Sequence, residues 1–203
     1  MYAAMMSFWD DRYRREDYAY GTEPNDFLRG EAARIPAGRV LCLADGEGRN
    51  GVFLASLGHA VTSVDLSAEG LRKAERLARQ RGVTLDLVQA DLAEYDLEAN
   101  AFSGIVSIFA HLPVAARKRL YTQIPRALVA GGAFVLESYR PEQLAFATGG
   151  PRDAALLPTL AELTTELGAL ELVVARDAER EIHEGTFHDG QSATVQVIAV
   201  KRA

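Results

Sequence analysis

Three glycines, Gly46, Gly48 and Gly51, stand at G-x-G-x-x-G spacing inside the stretch VLCLADGEGRNGVFLASLGHAVTSVDLS, residues 40–67. Glycine tolerates positive φ and lets backbone approach a ligand, so a strand entering such a bend and leaving as a helix makes a cradle for a nucleotide or an anion. This bend also carries two acids, Asp45 and Glu47. A pyrophosphate seeks bare amides with no carboxylate beside them, whereas a ligand with a cationic, phosphate-free head accepts such acids. Arg49 and Asn50 open the following helix, either as caps or as groups that position the ligand. Asp65 closes the next apolar run, where a carboxylate can accept from both hydroxyls of a ribose. Asp91, in VQADL, follows the third such run and could reach an adenine amino group, with Leu92 beside the ring. Ser107, near the end of a fourth run, is grouped with these contacts.

Together these residues suit S-adenosylmethionine (SAM), which has a sulfonium, an ammonium and no phosphate. Asp65 alone would serve NAD equally well. Two acids after successive strands fit one adenosine, however, and the chain shows no second half for a nicotinamide and no Tyr-x-x-x-Lys pair.

A second set of residues could face an acceptor. His111, in SIFAHLP, follows the fourth strand and is either a general base or a cap for the helix that starts at Pro113. Trp9 and Tyr13, four apart, with Tyr18 and Tyr20 beyond, form either the apolar face of an N-terminal helix or a lid over the sulfonium, where aromatic rings attract a cation. Arg140, in ESYRPEQL, either grips an anion or makes a surface ion pair. His183 and His188 flank the terminal turn and read as a solvated hairpin, with a place at the substrate mouth as the alternative. With Cys42 and His111 weighed beside them, they make no metal site.

The elements that must position these groups alternate. Strands are expected at Arg39–Ala44, Ala60–Asp65, Thr84–Val88, Phe102–Ile108 and Ala133–Ser138. Helices are expected at Gly51–Leu57, from an N-cap at Ser67 to Gly82, at Pro113–Leu128 with a kink at Pro125, and at Leu160–Leu167. Two β-rich runs, Leu170–Ile182 and Ala193–Lys201, close the chain, with Asp189-Gly190 as a hairpin signal between them. Such alternation predicts an α/β, Rossmann-like doubly wound, mostly parallel seven-stranded sheet with an antiparallel C-terminal hairpin strand. One domain is expected over 1–203, with a helical lid segment at 1–36 and the core at 39–203. The loop Thr148–Ala155 (TGGPRDAA) is the most mobile-looking stretch.

Composition narrows the function. The 203 residues are 48% hydrophobic, enough for a real core, and carry a net charge of −6 with no long basic run, which argues against nucleic acid as a partner. One cysteine, Cys42, precludes an internal disulfide and suits a reducing cytoplasm. No apolar run of about 18 residues appears and the N-terminus lacks a signal-peptide pattern, so neither a membrane span nor export is expected.

The chain resembles the class I SAM-dependent methyltransferases, and within them the tellurite-resistance methyltransferase-like branch. LADGEGRN, VDLS, QADL and LVAGGAFVLE carry the first likeness, while FWDDRYRREDYAYGTEPNDFL and EREIHEGTFHDG carry the second. The resemblance implies methyl transfer to a small acceptor: a soft anion, a thiol or a small metabolite. It implies that the bend holds the methionine tail, Asp65 the ribose, and Asp91 and Leu92 the adenine, with Leu66 adjoining. Tyr13, Tyr20, His111, Arg140 and the Gly149-Gly150 loop would shape the acceptor side, in a monomer or homodimer. Two departures stand out: the family's strand-one acid is Cys42 here, and its first loop glycine is Ala44. Asp45 or Glu47 could replace that acid. The alternatives are a small NAD-binding oxidoreductase and a SAM-binding protein without catalysis.

Overall fold

The computed structural model describes residues 2–202, with side chains from Ser7 onward. The chain opens with α1 (Tyr2–Tyr13) and the short α2 (Asp26–Glu31), which Asn25 caps by accepting from Leu28 N. It then alternates β1 (Arg39–Leu43), α3 (Arg49–Ser56), β2 (Ala60–Asp65), α4 (Ala68–Gln80), β3 (Asp86–Gln89) and β4 (Phe102–Ile108). After β4 come α5 (Val114–Tyr121), α6 (Ile124–Ala127), β5 (Leu128–Tyr139), α7 (Leu160–Glu166), β6 (Glu171–His183) and β7 (Asp189–Val200). Ser67 caps α4 through Gly70 N, as its position in sequence predicts.

The seven strands order as β3-β2-β1-β4-β5-β7-β6. Strands β1 to β5 pair in parallel, and β7 pairs antiparallel with both β5 and β6. The expected α/β mixed sheet is thus present, but its reversed strand is not at the edge: β7 lies inside the sheet and β6 is the outer strand. The sheet buries both faces, which is why its central strands read as continuous apolar runs. One face packs Val40, Cys42, Val106 and Val135 against Phe27, Leu28 and Leu54. The other packs Leu41, Leu43, Ile105 and Phe134 against Leu120, Tyr121, Ile124 and Leu163.

Two expectations fail locally. The helix expected over 113–128 breaks into α5 and α6, and Pro125 sits in the first turn of α6. Proline lacks the N–H that would continue α5, whereas a first turn leaves that donor unused anyway. Residues 128–130 then start β5 instead of ending a helix. Asp189-Gly190 is not the hairpin turn either: both residues already pair with β6, through His183↔Asp189 and Ile182↔Gly190. The turn is 184–188, closed by Glu184 N donating to the His188 carbonyl. Gly185 (φ +77°) permits it, and a Cβ there would lie 2.5 Å from the Tyr20 carbonyl carbon, so this turn rests directly on the N-terminal segment.

Candidate active site

Strand order reverses at β1, between β2 and β4, and the crevice beyond the strand ends at such a point is where α/β sheets bind ligands. A cavity of about 950 Å³ opens there. Its floor is the bend after β1. Gly46 (φ +56°) and Gly48 (φ +85°) both adopt backbone that favours glycine, and Gly48 brings α3 against Ala74 of α4. Ala44 adopts φ +50° without being glycine.

The acids of this end are desolvated. Asp45 accepts from Ser63 Oγ at 2.6 Å and from Gly51 N at 3.3 Å, and burial pushes its carboxyl up to about 7. A Cβ on Gly51 would collide with that carboxylate, so the third glycine makes room for Asp45. Asp65 accepts from Gly46 N and Ser67 N, both at 2.8 Å, and burial pushes it up to about 6. No arginine or lysine pairs with either acid among the described residues. Glu47 differs. It pairs with the buried Lys73, which also donates to the carbonyls of Arg15 and Asp17, and Glu47 accepts from Tyr20 N. Leu66, Asp91 and Leu92 line the same end of the cavity.

Helix α1 closes over this floor. Asp10 accepts from Ser67 Oγ and Glu69 N, so α1 docks on the turn that carries Asp65. The Tyr13 hydroxyl stands against Gly46, and Trp9 stacks on Tyr13 at 5.8 Å. The aromatic face of the N-terminal helix, with Trp9 and Tyr13, therefore also lines the cavity.

The opposite end is aromatic and basic. His188 packs against Tyr20 (4.5 Å between centroids), Phe109 (4.6 Å) and Tyr139 (5.3 Å). His111 stacks parallel to Tyr139 at 5.6 Å. Burial pushes His111 down to about 4 and His188 well below the usual histidine range, with the Arg49 guanidinium adding to the effect on His188. Both imidazoles are thus neutral at pH 7. His111 Nε2 and His188 Nδ1 are buried without a hydrogen-bond partner. Arg12 donates to the Tyr20 hydroxyl at 3.0 Å and lies 4.0 Å over Phe187.

Most residues singled out from sequence converge on the cavity: Tyr13, Tyr20, Asp45, Gly46, Glu47, Arg49, Asn50, Asp65, Leu66, Asp91, Leu92 and His111 all line it. Three do not. Gly48 is turned against α4. Ser107 pairs at 3.2 Å with Tyr121 of α5, on the sheet face that α5 covers. Arg140 is taken up by Glu142 and Glu179. His188 is a correction in the other direction. Of the two histidines of the expected solvated hairpin, only His183 is exposed, held by Asp189 and Glu181, whereas His188 is buried in the cavity wall. Phe109, with φ +52° just past β4, is a further wall residue that no sequence pattern singles out.

The site fits SAM. Two buried carboxylates without cationic partners await a positive ligand, and the bend leaves no room for added side chains. Comparisons with known proteins agree. Residues 40–132 match a family described as a methyltransferase domain. A phosphatidylethanolamine N-methyltransferase of Cereibacter sphaeroides is 29% identical over 184 residues, 86% of this chain and 87% of that one. Among solved structures, TehB from Haemophilus influenzae superposes with a TM-score of 0.73 at 16% identity, covering 97% of this chain and 67% of the other. Magnesium protoporphyrin IX methyltransferase from Synechocystis PCC 6803, with its bound S-adenosylhomocysteine (SAH), superposes with a TM-score of 0.69 at 15% identity over 100% and 99%. With this fold, this acid-lined bend and these matches, residues 40–132 form a methyltransferase domain, and the chain as a whole is similar to the class I SAM-dependent methyltransferases.

Proposed function

We propose that the protein methylates a small, electron-rich acceptor, a soft anion, a thiol or a small metabolite, held at the aromatic end of the cavity. The observation that carries this reading is the cavity's polarity. Asp45, Asp65 and Asp91 lie at the glycine bend and after β2 and β3, whereas Arg12 lies over Phe187, next in sequence to the His188 that packs against Tyr20 and Phe109, and Arg152 and His111 line the same cavity. The first set favours a cation and the second an electron-rich partner. Arg12 and Arg152 have no carboxylate partner among the described residues, so both are free to attract an anion.

Bound SAM supplies an activated methyl group, and the protein's work is alignment, which requires reacting atoms about 3–3.5 Å apart. Asp65 would hold the ribose, and Asp91 with Leu92 the adenine. Asp45 has no internal cation and is placed for the ammonium, in the role of the acid missing at Cys42. Glu47, already paired with Lys73, serves to pin the lid segment. Tyr13 and Tyr20 wall off water, which favours a reaction that discharges a sulfonium. Thiolates and oxyanions need no base. An acceptor that arrives protonated would hand its proton to neutral His111 or His188, each with an open ring nitrogen. The single cysteine is buried as a free thiol, and we place the reaction in the cytoplasm.

The test is methyl transfer from labelled SAM to a panel of thiols, oxyanions, phenols and amines, with phosphatidylethanolamine and a porphyrin as bulky comparisons. Turnover of a small acceptor, lost in Asp65→Ala, is expected. Stabilisation by NAD and not by SAM would overturn the reading, and SAM binding without turnover of any acceptor would leave a binding protein.

A further inference from the structure

We propose that the acceptor is a small organic acid with an apolar body, whose acid group meets Arg12 and whose body lies on a rim built from Phe8, Leu144 and Phe146. This rests on the methyl-transfer reading above and narrows its acceptor to a class that a bare inorganic anion does not fit. Arg12, in the last turn of α1, is half-buried and lines the cavity. Its guanidinium stands between two rings, 5.1 Å from the Phe8 centroid and 4.0 Å from that of Phe187. Its Nη1 donates to the Tyr20 hydroxyl at 3.0 Å. No carboxylate pairs with it among the described residues. Asp189, which follows Phe187 and also lines the cavity, is taken up by His183. The rings therefore fix the guanidinium plane while its remaining donors stay uncommitted, and a planar carboxylate matches such a fork.

The apolar rim is an independent observation. Four large hydrophobic side chains are exposed among the described residues, and two of them, Phe8 (52%) and Leu144 (48%), line this one cavity. A chain of contacts joins them. A Cβ on Gly149 would lie 2.6 Å from the Phe187 carbonyl oxygen, and Asp189 N donates to the Thr148 carbonyl at 3.0 Å, so the loop after β5 is seated on the turn that carries Phe187. Leu144 and the half-buried Phe146 belong to that loop. The exposure of Leu144 is built in by its neighbour. Gln143 is buried, donates to Thr148 Oγ1 at 3.0 Å and to the Gly149 carbonyl at 3.2 Å, and accepts from Ala193 N of β7 at 2.8 Å. An apolar side chain held out beside a cavity by an anchored backbone gains stabilisation only when a ligand covers it. The cavity's volume of about 950 Å³ stands at the upper end of the roughly 300–1,000 Å³ range of ligand pockets, which leaves room for a second molecule beside the cofactor. A bare oxyanion would satisfy Arg12 and leave this rim in water.

The experiment is ligand-observed NMR titration of phenylpropionate, phenylpropanol and propionate into the full-length protein saturated with SAH. Phenylpropionate should bind about 10- to 100-fold more tightly than the alcohol, the worth of a charge-assisted hydrogen bond. It should bind about tenfold or more above propionate, the worth of covering a ring. Arg12→Met keeps an apolar stem between Phe8 and Phe187 and removes the charge. It should bring phenylpropionate down to the alcohol and leave the alcohol unchanged. Leu144→Ser should weaken both ring ligands by about threefold and leave propionate unchanged. Melting temperature and SAH affinity check folding in both variants. A wild type that binds acid and alcohol equally, or phenylpropionate and propionate equally, or none of the three with SAH in place, overturns the proposal. So does recruitment to phosphatidylcholine vesicles that Leu144→Ser abolishes, which would assign the rim to a lipid surface. A wild type that does not bind SAH overturns the methyl-transfer reading itself, and the proposal falls with it.

Discussion

Ala44 shows how a single residue can work against its backbone. It takes φ +50° at the entry to the bend, a conformation that costs an L-residue with a Cβ about 1–2 kcal/mol, part of which glycine gives back through its looser unfolded chain. Ala44→Gly is therefore expected to stabilise the fold by about 0.5–1 kcal/mol, read as a rise of about 1–4 °C in Tm. An unchanged or lower Tm would show that the bend is not strained there. At this scale the sequence was a good guide where chemistry and position coincide. Gly46, Asp65 and Asp91 fall at strand ends, where any ligand must lie, and a carboxylate there has few other reasons to exist. It was a poor guide where burial depends on a distant segment. His188 and Phe109 become wall residues only because the 184–188 turn and the 20–25 segment fold over them, and Arg140 leaves the site because Glu179 on β6 captures it.

Between elements, the tie that holds the two chain ends to the sheet is a buried polar cluster around Glu137 of β5. Its carboxylate accepts from Arg180 of β6, Thr194 and Gln196 of β7, and Asn25 before α2, and these donors, with Arg180 foremost, keep its pKa below the usual glutamate value despite burial. Removing one partner of such a cluster strands the others. Glu137→Ala is expected to cost about 3–5 kcal/mol in denaturant unfolding, and a loss below 1 kcal/mol would show that the cluster contributes little to stability. The alternation of strands and helices was legible because apolar periodicity is local. The cluster was not, since it joins residues 25, 137, 180 and 194 through pairings that only the completed sheet creates. The broken helix at Pro125 lies between these cases: proline announced a disturbance, but whether helix would bend or stop depended on Leu128 pairing with Phe102 across β4 and β5.

For the whole molecule, buried acids and buried histidines pull stability in opposite directions with pH. Asp45 and Asp65 have folded pKa values raised to about 7 and about 6 from 3.8. Their contribution is full below pH about 4 and is lost as pH rises through those values. His111 is lowered from 6.5 to about 4, and burial holds His188 well below the usual histidine range. Their contribution is full above pH 6.5 and is lost as pH falls toward 4. Between pH 4.5 and 6 the two pairs nearly cancel, so the ligand-free protein should have a flat Tm across that window. A ligand that presents its ammonium to Asp45 and its ribose hydroxyls to Asp65 breaks this balance, because it binds the ionised forms of both acids and must release their protons. SAH affinity should therefore climb as pH rises from 5 to 7.5, by up to about tenfold per pH unit for each carboxyl that titrates on binding. Asp45→Asn should remove the part of that climb near pH 7 and leave the part near pH 6. Calorimetry in buffers of different ionisation enthalpy would count the released protons directly, and an affinity independent of pH across this range would mean that neither carboxylate contacts the ligand in its ionised form.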